Sequence, residues 1–293
     1  MIANLLQLLI NGLLSGAQLA VPAIGFTAIY AVLRFPNFAI ASHMTVGAYA
    51  GVLVNTGLGW PAGVALVVAF LAGGLTGVAS DTLFLRRLRP SGPLTTAIGA
   101  AALGIVLENV ARFAFGNDPH GFDLPVLRDW RFTIEGIGRL RIGPQQVQAA
   151  IASLIAMTIL FAFLSFTRSG RMMRAVADNP MLAGLKGIDA ESVARRANFV
   201  GMGLAGFGGM LIGLDTSVDP LTGYRVVLPV FAAAVVGGLG SIPGAVAGAF
   251  IVGIGEEFST LVLDASYRTA VGFAAILLVL TLRPRGLLGE RAL

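Results

Sequence analysis

The sequence predicts an all-α protein that crosses a membrane several times. Of its 293 residues, 56% are hydrophobic and 12% are charged, and the mean hydropathy is +0.84, whereas a soluble domain has about 25% charged residues. Apolar runs of about 20 residues recur along the chain, the length that a helix needs to cross a hydrocarbon core about 30 Å thick. The strict polar/apolar alternation of a membrane β-barrel is absent. Since only helices and closed barrels satisfy the backbone within lipid, a helical bundle is expected.

The apolar segments predict a bundle of eight or nine transmembrane helices. The first segment contains Pro22 and lacks the basic start of a signal peptide, so we interpret it as a membrane helix. The seventh is short, and the glycine-rich stretch 235–248, "VVGGLGSIPGAVAG", links it to the eighth. This pair forms either two crossings or an interrupted, re-entrant segment of short helices. The candidate spans are residues 5–33, 39–56, 61–85, 94–115, 147–167, 195–214, 226–240, 244–262 and 267–283.

Pairs of glycines four residues apart recur within these segments and predict close helix packing, because small residues let helices approach one another in a membrane. These pairs are Gly47 and Gly51, Gly73 and Gly77, Gly209 and Gly213, and Gly244 and Gly248.

The positions of the basic residues predict the orientation, since cytoplasmic loops carry an excess of Lys and Arg. One side of the predicted bundle collects Arg34, Arg86, Arg87, Arg89, Arg168, Arg171, Arg174, Lys186, Arg195, Arg196, Arg283, Arg285 and Arg291. The other collects Arg112, Arg128, Arg131, Arg139, Arg141, Arg225 and Arg268. The first side is therefore predicted to be cytoplasmic, together with the C-terminus, and nine spans place the N-terminus outside. This placement accounts for the net charge of +5 without a nucleic-acid partner.

We expect a single transmembrane domain, residues 1–293, with an extracytoplasmic loop at 116–146 and a cytoplasmic segment at 168–194. Asp118, Asp123, Asp129 and Glu135 nearly balance the basic charge of the loop. Because "RFTIEGIGRLRIG" alternates weakly around a glycine turn, the loop is expected to hold a short hairpin or helix. It is either a docking surface or a solvated connection.

The cytoplasmic segment predicts two short helices on the inner membrane surface. Arg171, Arg174 and Asp178 share one helical face, while Met172, Met173, Val176 and Ala177 lie on the other. Asn179 and Pro180 end the first helix and start the second, and Lys186 and Gly187 end the second. The sequence pattern leaves two hypotheses open: arginines that contact anionic membrane lipid, or a docking element for a cytoplasmic partner.

Three stretches resemble the permeases of branched-chain amino acid ABC importers. "GRMMRAVADNPMLAGLKGID" resembles their cytoplasmic coupling segment, "INGLLSGAQLAVPAIGFTAIYAVLRFPNFAIASHMTVGAYAG" their N-terminal region, and "VVGGLGSIPGAVAGAFIVGIGE" their glycine-rich C-terminal region. The stretches occur in order at the start, middle and end of the chain, and the H-type subunit fits better than the M-type. The middle match is carried by Gly170, Arg174, Ala175, Ala183, Gly187 and Ile188.

The resemblance implies a multi-pass permease subunit of the bacterial inner membrane that forms the translocation path for an amino acid. It implies as partners a second permease subunit, M-type or like this one, two cytoplasmic ATP-binding subunits and an extracytoplasmic substrate-binding protein. ATP and Mg²⁺ are then used by the partner ATPases, and this chain binds no cofactor. Coupling to the ATPases would involve Gly170, Arg171, Arg174, Ala175, Asp178, Ala183 and Gly187.

Two groups of residues are candidates for the substrate path. The first is Asn37, Phe38 and Ser42; after Asn37, Phe38 and Ala39 the family commonly continues with His, Gly and an acidic residue, whereas this chain has Ile40, Ala41 and Ser42. Polar side chains are thereby missing or reduced near the expected path. The resemblance therefore leaves open whether the substrate is one of leucine, isoleucine and valine or a different solute. The second group could present free backbone amides to a substrate carboxylate; it is Gly237, Gly238, Gly240 and Ser241.

Other chemistry finds little support in the sequence. A P-loop requires GxxxxGK[ST], and Lys186, the single lysine, is followed by glycine. The chain has no cysteine, and His43 and His120 are too far apart to suggest a metal site. Among the acidic residues, Asp81 is expected to pair with Arg86 and Glu108 with Arg112, whereas Glu256 and Glu257 lack such a neighbour. A self-contained secondary transporter is the alternative function, and a membrane-embedded enzyme is less favoured.

Overall fold

The computed structural model of the protein describes residues 2–125, 128–134, 138–264, 267–283 and 285–289, and it is built almost entirely from helices. Glu135 and Arg291 lie outside these residues. The helices are α1 (Ile2–Leu33), α2 (Ile40–Val52), α3 (Ala62–Ser80), α4 (Arg86–Leu88), α5 (Pro93–Phe115), α6 (Pro144–Phe166), α7 (Arg168–Asp178), α8 (Pro180–Leu185), α9 (Ala190–Asp215), α10 (Thr222–Gly237), α11 (Ile242–Ser259) and α12 (Arg268–Leu282). After α2 the chain continues as a π-helical segment at Leu53–Gly57, and after α3 as a second one at Asp81–Leu85. A 3₁₀ turn at Arg89–Ser91 follows α4.

Each predicted span corresponds to a helix, which confirms an all-α polytopic membrane protein. Within the described residues, six helical stretches are long and apolar enough to cross a membrane. They contain α1, α3, α5, α6, α9 and α11, whereas α10 and the apolar part of α12 are shorter. The count of eight or nine crossings therefore stays a prediction, as does the re-entrant alternative for α10 and α11.

The loop between α5 and α6 forms an antiparallel hairpin of β1 (Trp130–Ile134) and β2 (Gly138–Ile142), in which Trp130 pairs with Ile142 and Phe132 with Leu140. The expected hairpin is thus confirmed over the expected alternating stretch. Gln7 of α1 fixes its position, because the Gln7 side chain accepts a hydrogen bond from the Arg141 amide at 2.8 Å and donates one to the Arg141 carbonyl at 2.7 Å. The hairpin therefore lies at the N-terminal end of α1.

Helix α9 is the centre of the bundle, and its glycines allow α1, α2 and α3 to approach its backbone. A Cβ atom added at Gly206 would lie 2.5 Å from the Ala69 carbonyl oxygen, 3.1 Å from Cα of Gly73 and 3.3 Å from Cα of Gly47. One turn later, Gly209 lies against the backbone of Met44. The predicted packing role of Gly47, Gly73 and Gly209 is confirmed.

Side-chain and backbone contacts distinguish the two ends of the bundle. At one end, Arg34 donates a hydrogen bond to the Ala177 carbonyl, and Arg196 donates to Ser169 Oγ at 3.0 Å. At the other, His120 in the loop after α5 and Val218 in the loop after α9 form a backbone bridge. His120 belongs to the same loop as the hairpin, which lies at the N-terminal end of α1, whereas Arg34 follows the C-terminal end of α1. The two sets of contacts therefore lie at opposite ends of the bundle. Which end is cytoplasmic stays a prediction.

We predict that Gly206→Ala destabilises the bundle, because its Cβ would meet backbone atoms of two neighbouring helices that cannot move independently. Overpacking of this kind costs about 1–3 kcal/mol. Gly63→Ala is the matched control, since Gly63 is also helical and has no atom within 4 Å of an added Cβ. The measurement is the apparent melting temperature of the monodisperse protein in mild detergent. Equal melting temperatures for the two variants would contradict the close packing around α9.

Candidate functional site

Helices α7 and α8 form a compact pair between α6 and α9. Helix α7 buries Met173 and Val176, which are each 3% exposed, and directs Arg171, Arg174 and Asp178 to solvent. Gly170 permits the sharp turn from α6, since a Cβ there would collide with the backbone of Phe163 and Leu164. The two faces predicted for this segment are therefore confirmed.

The ends of both helices are fixed by caps that the sequence predicts. Asn179 ends α7, and its side chain accepts a hydrogen bond from the Leu182 amide at 3.0 Å, while Pro180 occupies the first position of α8. Gly187 has a φ of 78°, and the amides of Gly187 and Ile188 bond to the carbonyls of Gly184 and Ala183 at 2.9 and 3.0 Å. This pairing is a Schellman motif, which requires the left-handed conformation that glycine adopts.

The predicted coupling residues have different surroundings in the structure. Arg171, Arg174 and Asp178 are exposed and can contact a partner, whereas Gly170 and Ala183 are buried and Ala175 is half-buried. Helix α8 adds an apolar surface that the sequence analysis missed: the side chains of Met181, Leu182 and Leu185 are 78%, 58% and 76% exposed. Apolar residues inside a polar segment were the signal for it.

Ionic contacts attach this segment to the rest of the bundle. Asp189 caps α9 by accepting hydrogen bonds from the amides of Glu191 and Ser192 at 3.0 and 3.2 Å. Glu191 in turn pairs with Arg86 at 3.0 Å and with Arg89 at 3.6 Å. The start of α9 is therefore tied by ion pairs to α4 and to the 3₁₀ turn that follows it.

Asp81 is fully buried and pairs with Arg89, so the predicted pairing with Arg86 is wrong. The π-helical segment 81–85 and the 3₁₀ turn 89–91 change the helical register. As a result, the Arg89 side chain reaches Asp81, while Arg86 pairs with Glu191. A carboxylate buried in a membrane protein requires such a partner.

The first group of substrate-path candidates lies where the starts of α2 and α10 meet α5. Ser42 donates a hydrogen bond to the Gly104 carbonyl at 2.7 Å, and its Oγ lies 3.4 Å from the Tyr224 hydroxyl. Thr45 Oγ1 accepts a hydrogen bond from the Gly223 amide at 3.0 Å. Gly104 lies at mid-length of α5, so two helix N-termini meet near the middle of the bundle.

Asn37 and Phe38 contribute the other groups of this junction. Asn37 is 1% exposed; its Oδ1 accepts a hydrogen bond from the Ala39 amide at 3.2 Å, and its Nδ2 has no partner among the described residues. Phe38 is 38% exposed, and its ring lies 5.8 Å from that of Phe231. The sequence analysis missed Thr45, Tyr224 and Phe231; the polar stretch "DPLTGY" between two apolar segments was the available signal.

The second group of candidates lies elsewhere. Gly238 and Gly240 have positive φ angles of 109° and 94° at the turn after α10, and Ser241 caps α11 by accepting from the Gly244 amide at 3.2 Å. The Gly237 carbonyl accepts a hydrogen bond from the Leu288 amide at 2.9 Å, and the Ser241 amide donates to the Gly238 carbonyl at 3.0 Å. These residues contact α11 and residues 285–289 rather than Asn37, so their contact with substrate stays a prediction.

Comparison with known proteins places the chain in a family. The model of the permease component of branched-chain amino acid transport systems matches residues 8–282. The chain belongs to this family. It is 32% identical to the high-affinity branched-chain amino acid transport system permease protein LivH of Escherichia coli, over 97% of this chain and 96% of the relative. It is 30% identical to the corresponding permease protein BraD of Pseudomonas aeruginosa, over 99% and 97% of the two chains.

One solved structure is similar at a more distant level. It is described as PsaBC from Streptococcus pneumoniae in complex with Fab, and it aligns with a TM-score of 0.48 and 16% identity over 97% of each chain. This likeness is too remote to bear on the site. The family membership shows that the chain is a permease component, a transport subunit rather than an enzyme.

Several other ionisable residues of the permease have structural contacts, whereas Glu256 is buried and its Oε1 has no hydrogen-bond partner among the described residues. Glu108 pairs with Arg112 at 2.6 Å, as predicted. Glu257, for which no partner was expected, pairs with Arg268, because the turn between α11 and α12 brings α12 back beside it. His43 contacts the Ala39 carbonyl at 2.7 Å and Ser80 Oγ at 3.2 Å, and His120 packs against Tyr49. No cluster of metal-binding side chains occurs among the described residues of the permease.

We predict that Asp81→Asn destabilises the permease far more than Glu108→Gln does, although both exchange a paired carboxylate for an amide. Breaking a buried pair costs about 3–5 kcal/mol, and the low end applies because Arg89 is 20% exposed and retains Glu191. The Glu108 pair costs less than about 1 kcal/mol, since Arg112 is 37% exposed. Thermal unfolding in detergent measures both, and equal losses would contradict the structural role of Asp81.

Proposed function

We propose that this permease is a subunit of an ABC importer that moves a branched-chain or similar amino acid across the bacterial inner membrane. The observation that carries the proposal is the helix pair α7–α8, which exposes arginines and apolar side chains while being fixed to α9. LivH and BraD are named as branched-chain amino acid permeases, which supports the substrate class. The alignment covers nearly all of this chain.

The energy comes from partner subunits. Because Lys186 is the single lysine and no P-loop is present, two separate ATP-binding subunits hydrolyse ATP with Mg²⁺ on the cytoplasmic side. These subunits dock on Arg171, Arg174 and the exposed apolar residues of α8. Apolar anchors flanked by arginines are typical of the centre and rim of a protein interface.

Movement of α7–α8 reaches the substrate junction through α9. When the ATPases close, they push α7–α8, and the cap at Asp189 and the Glu191 pairs transfer this push to the start of α9. The glycines of α9 hold the backbone of α2 and α3, so these helices move with it. The junction at Asn37 lies at the start of α2, so its residues change position when α2 moves.

The junction has groups that suit a zwitterionic amino acid. The free amide of Asn37 and the N-termini of α2 and α10 favour a carboxylate, because helix N-termini carry partial positive charge. Ser42 and the Tyr224 hydroxyl add hydrogen-bonding groups, and the rings of Phe38 and Phe231 provide an apolar surface for a branched side chain. Gly237, Gly238, Gly240 and Ser241 line the path closer to the cytoplasm.

The other partners follow from the predicted orientation, in which α7–α8 faces the cytoplasm and the loop 116–146 lies outside. The whole chain, 1–293, is one permease domain, in which 168–194 is the cytoplasmic coupling segment and 116–146 faces the extracytoplasmic binding protein. A second permease subunit completes the translocation cavity. Purification in mild detergent from the native host tests the assembly: we expect two ATP-binding subunits and a second permease to co-purify, whereas a single chain that transports solute with an ion gradient alone would refute the importer.

We predict that Arg171→Glu combined with Arg174→Glu abolishes ATP-driven uptake without unfolding the bundle, because both side chains are exposed and reversal of their charge repels the docking surface. Uptake into proteoliposomes should fall more than about tenfold, which two interface arginines can account for. The matched control is Arg171→Lys with Arg174→Lys, which keeps both positive charges at the same exposed positions and should retain uptake. Unaltered uptake in the first variant would favour simple lipid contact by α7.

We predict that Asn37→Asp weakens substrate binding about tenfold or more. The substitution preserves the acceptor for the Ala39 amide but replaces the free amide donor by a carboxylate, which repels a substrate carboxylate. The measurement is the KM for uptake by the assembled importer. Asn109→Asp serves as control, because Asn109 is exposed and bonds only within α5. A lowered KM would mean that Asn37 faces the substrate ammonium instead.

A further inference from the structure

A groove of about 800 Å³ opens on the outer face of the bundle between α3, α6 and α9. Its walls are apolar: Val67 belongs to α3, and Ile155 and Ile159 belong to α6, with exposures of 57%, 54% and 63%. Phe70 and Phe199 form part of its floor, with rings in an edge-to-face contact at 5.8 Å. An apolar surface of this kind is suited to contact with lipid acyl chains.

The groove ends in a polar cluster beside α7. Ser169, Ser192, Arg195 and Arg196 line this end, and Arg196 donates a hydrogen bond to Ser169 Oγ at 3.0 Å. Arg195 has no hydrogen bond or ion pair to any described residue. Two guanidinium groups and two hydroxyls in one place form a site for a phosphate, which arginine binds through paired hydrogen bonds.

The length of the groove matches one leaflet of a bilayer. On its α9 side, Arg195 and Phe207 are separated by twelve residues, or about 18 Å along a helix axis. Half of a hydrocarbon core is about 15 Å. A molecule that spans the groove therefore places its charged end at the membrane surface and its apolar end near the midplane.

We propose that this groove binds one phospholipid with an anionic head group, whose acyl chains lie on α3 and α6 and whose phosphate contacts Arg195 and Arg196. The charge complementarity favours an anionic lipid over a zwitterionic one, because each basic residue near a membrane surface attracts anionic lipid. The bound lipid would bridge α9 and the start of α7 through Ser169. Binding of the lipid does not depend on the proposed transport function.

The test is native mass spectrometry of the purified permease complex after exposure to phosphatidylglycerol or phosphatidylcholine. We expect one retained phosphatidylglycerol per chain in the groove and about tenfold weaker retention in Arg195→Gln with Arg196→Gln. The matched control, Arg131→Gln with Arg139→Gln, removes two exposed arginines of the hairpin that do not line the groove and should retain the lipid. Equal retention of the two lipids, or equal retention by the two double variants, would overturn the proposal.

A second variant separates loss of the site from misfolding. Ile159→Trp leaves every charge in place and fills the groove from α6, so it should reduce retention of phosphatidylglycerol while the melting temperature stays near that of the wild type. Because the chain has no cysteine, Ile159→Cys gives this chain a single point for attaching a photo-activated cross-linker in the groove. Cross-linking to lipid is expected, and an efficient cross-link to a second polypeptide would show that protein occupies the groove instead.

Discussion

The close approach of α9 to three neighbouring helices is the constraint on which the structure depends. Lipid tails are as apolar as leucine, so burial of apolar surface does not drive membrane helices together, and contact between backbones must do so. Gly206 is the clearest case, since α2 and α3 both meet α9 there. With any side chain at this position, α9 would lie farther from both helices, and the junction between α2, α5 and α10 would lose its support.

In the proposed function, this packing gives α9 a mechanical role as well as a structural one. The helix begins directly after α7–α8, and its first turn is held by the Asp189 cap and by the pairs of Glu191 with Arg86 and Arg89. Farther along, it contacts the first turns of α2 at Met44. The proposal is that a displacement at the polar end reaches the residues that surround Asn37 through these contacts. The groove lies on the same helix, between α3 and α6.

Features encoded by neighbouring residues could be predicted from the sequence. The apolar segments located every long helix, and Asn179, Pro180 and Gly187 located the ends of α7 and α8, because caps are decided by residues within one turn. Contacts between distant residues could not be predicted in this way. Ser42 meets Tyr224, 182 positions away, and Asp81 pairs with Arg89 only because irregular helical turns change the register. A pattern of helical spacing contains neither piece of information.

The central claim is that α7–α8 is the point at which a cytoplasmic ATPase drives this bundle. Because this chain has no cysteine, Met181→Cys gives it a single attachment point, on the exposed face of α8, for use in the assembled importer. The most direct measurement is short-range cross-linking from this cysteine, with Leu154→Cys on the exposed side of α6 as the reference. The account predicts a cross-link from position 181, and none from position 154, to an ATP-binding subunit. Reaction of position 181 with a membrane-impermeant reagent added outside intact cells would contradict it.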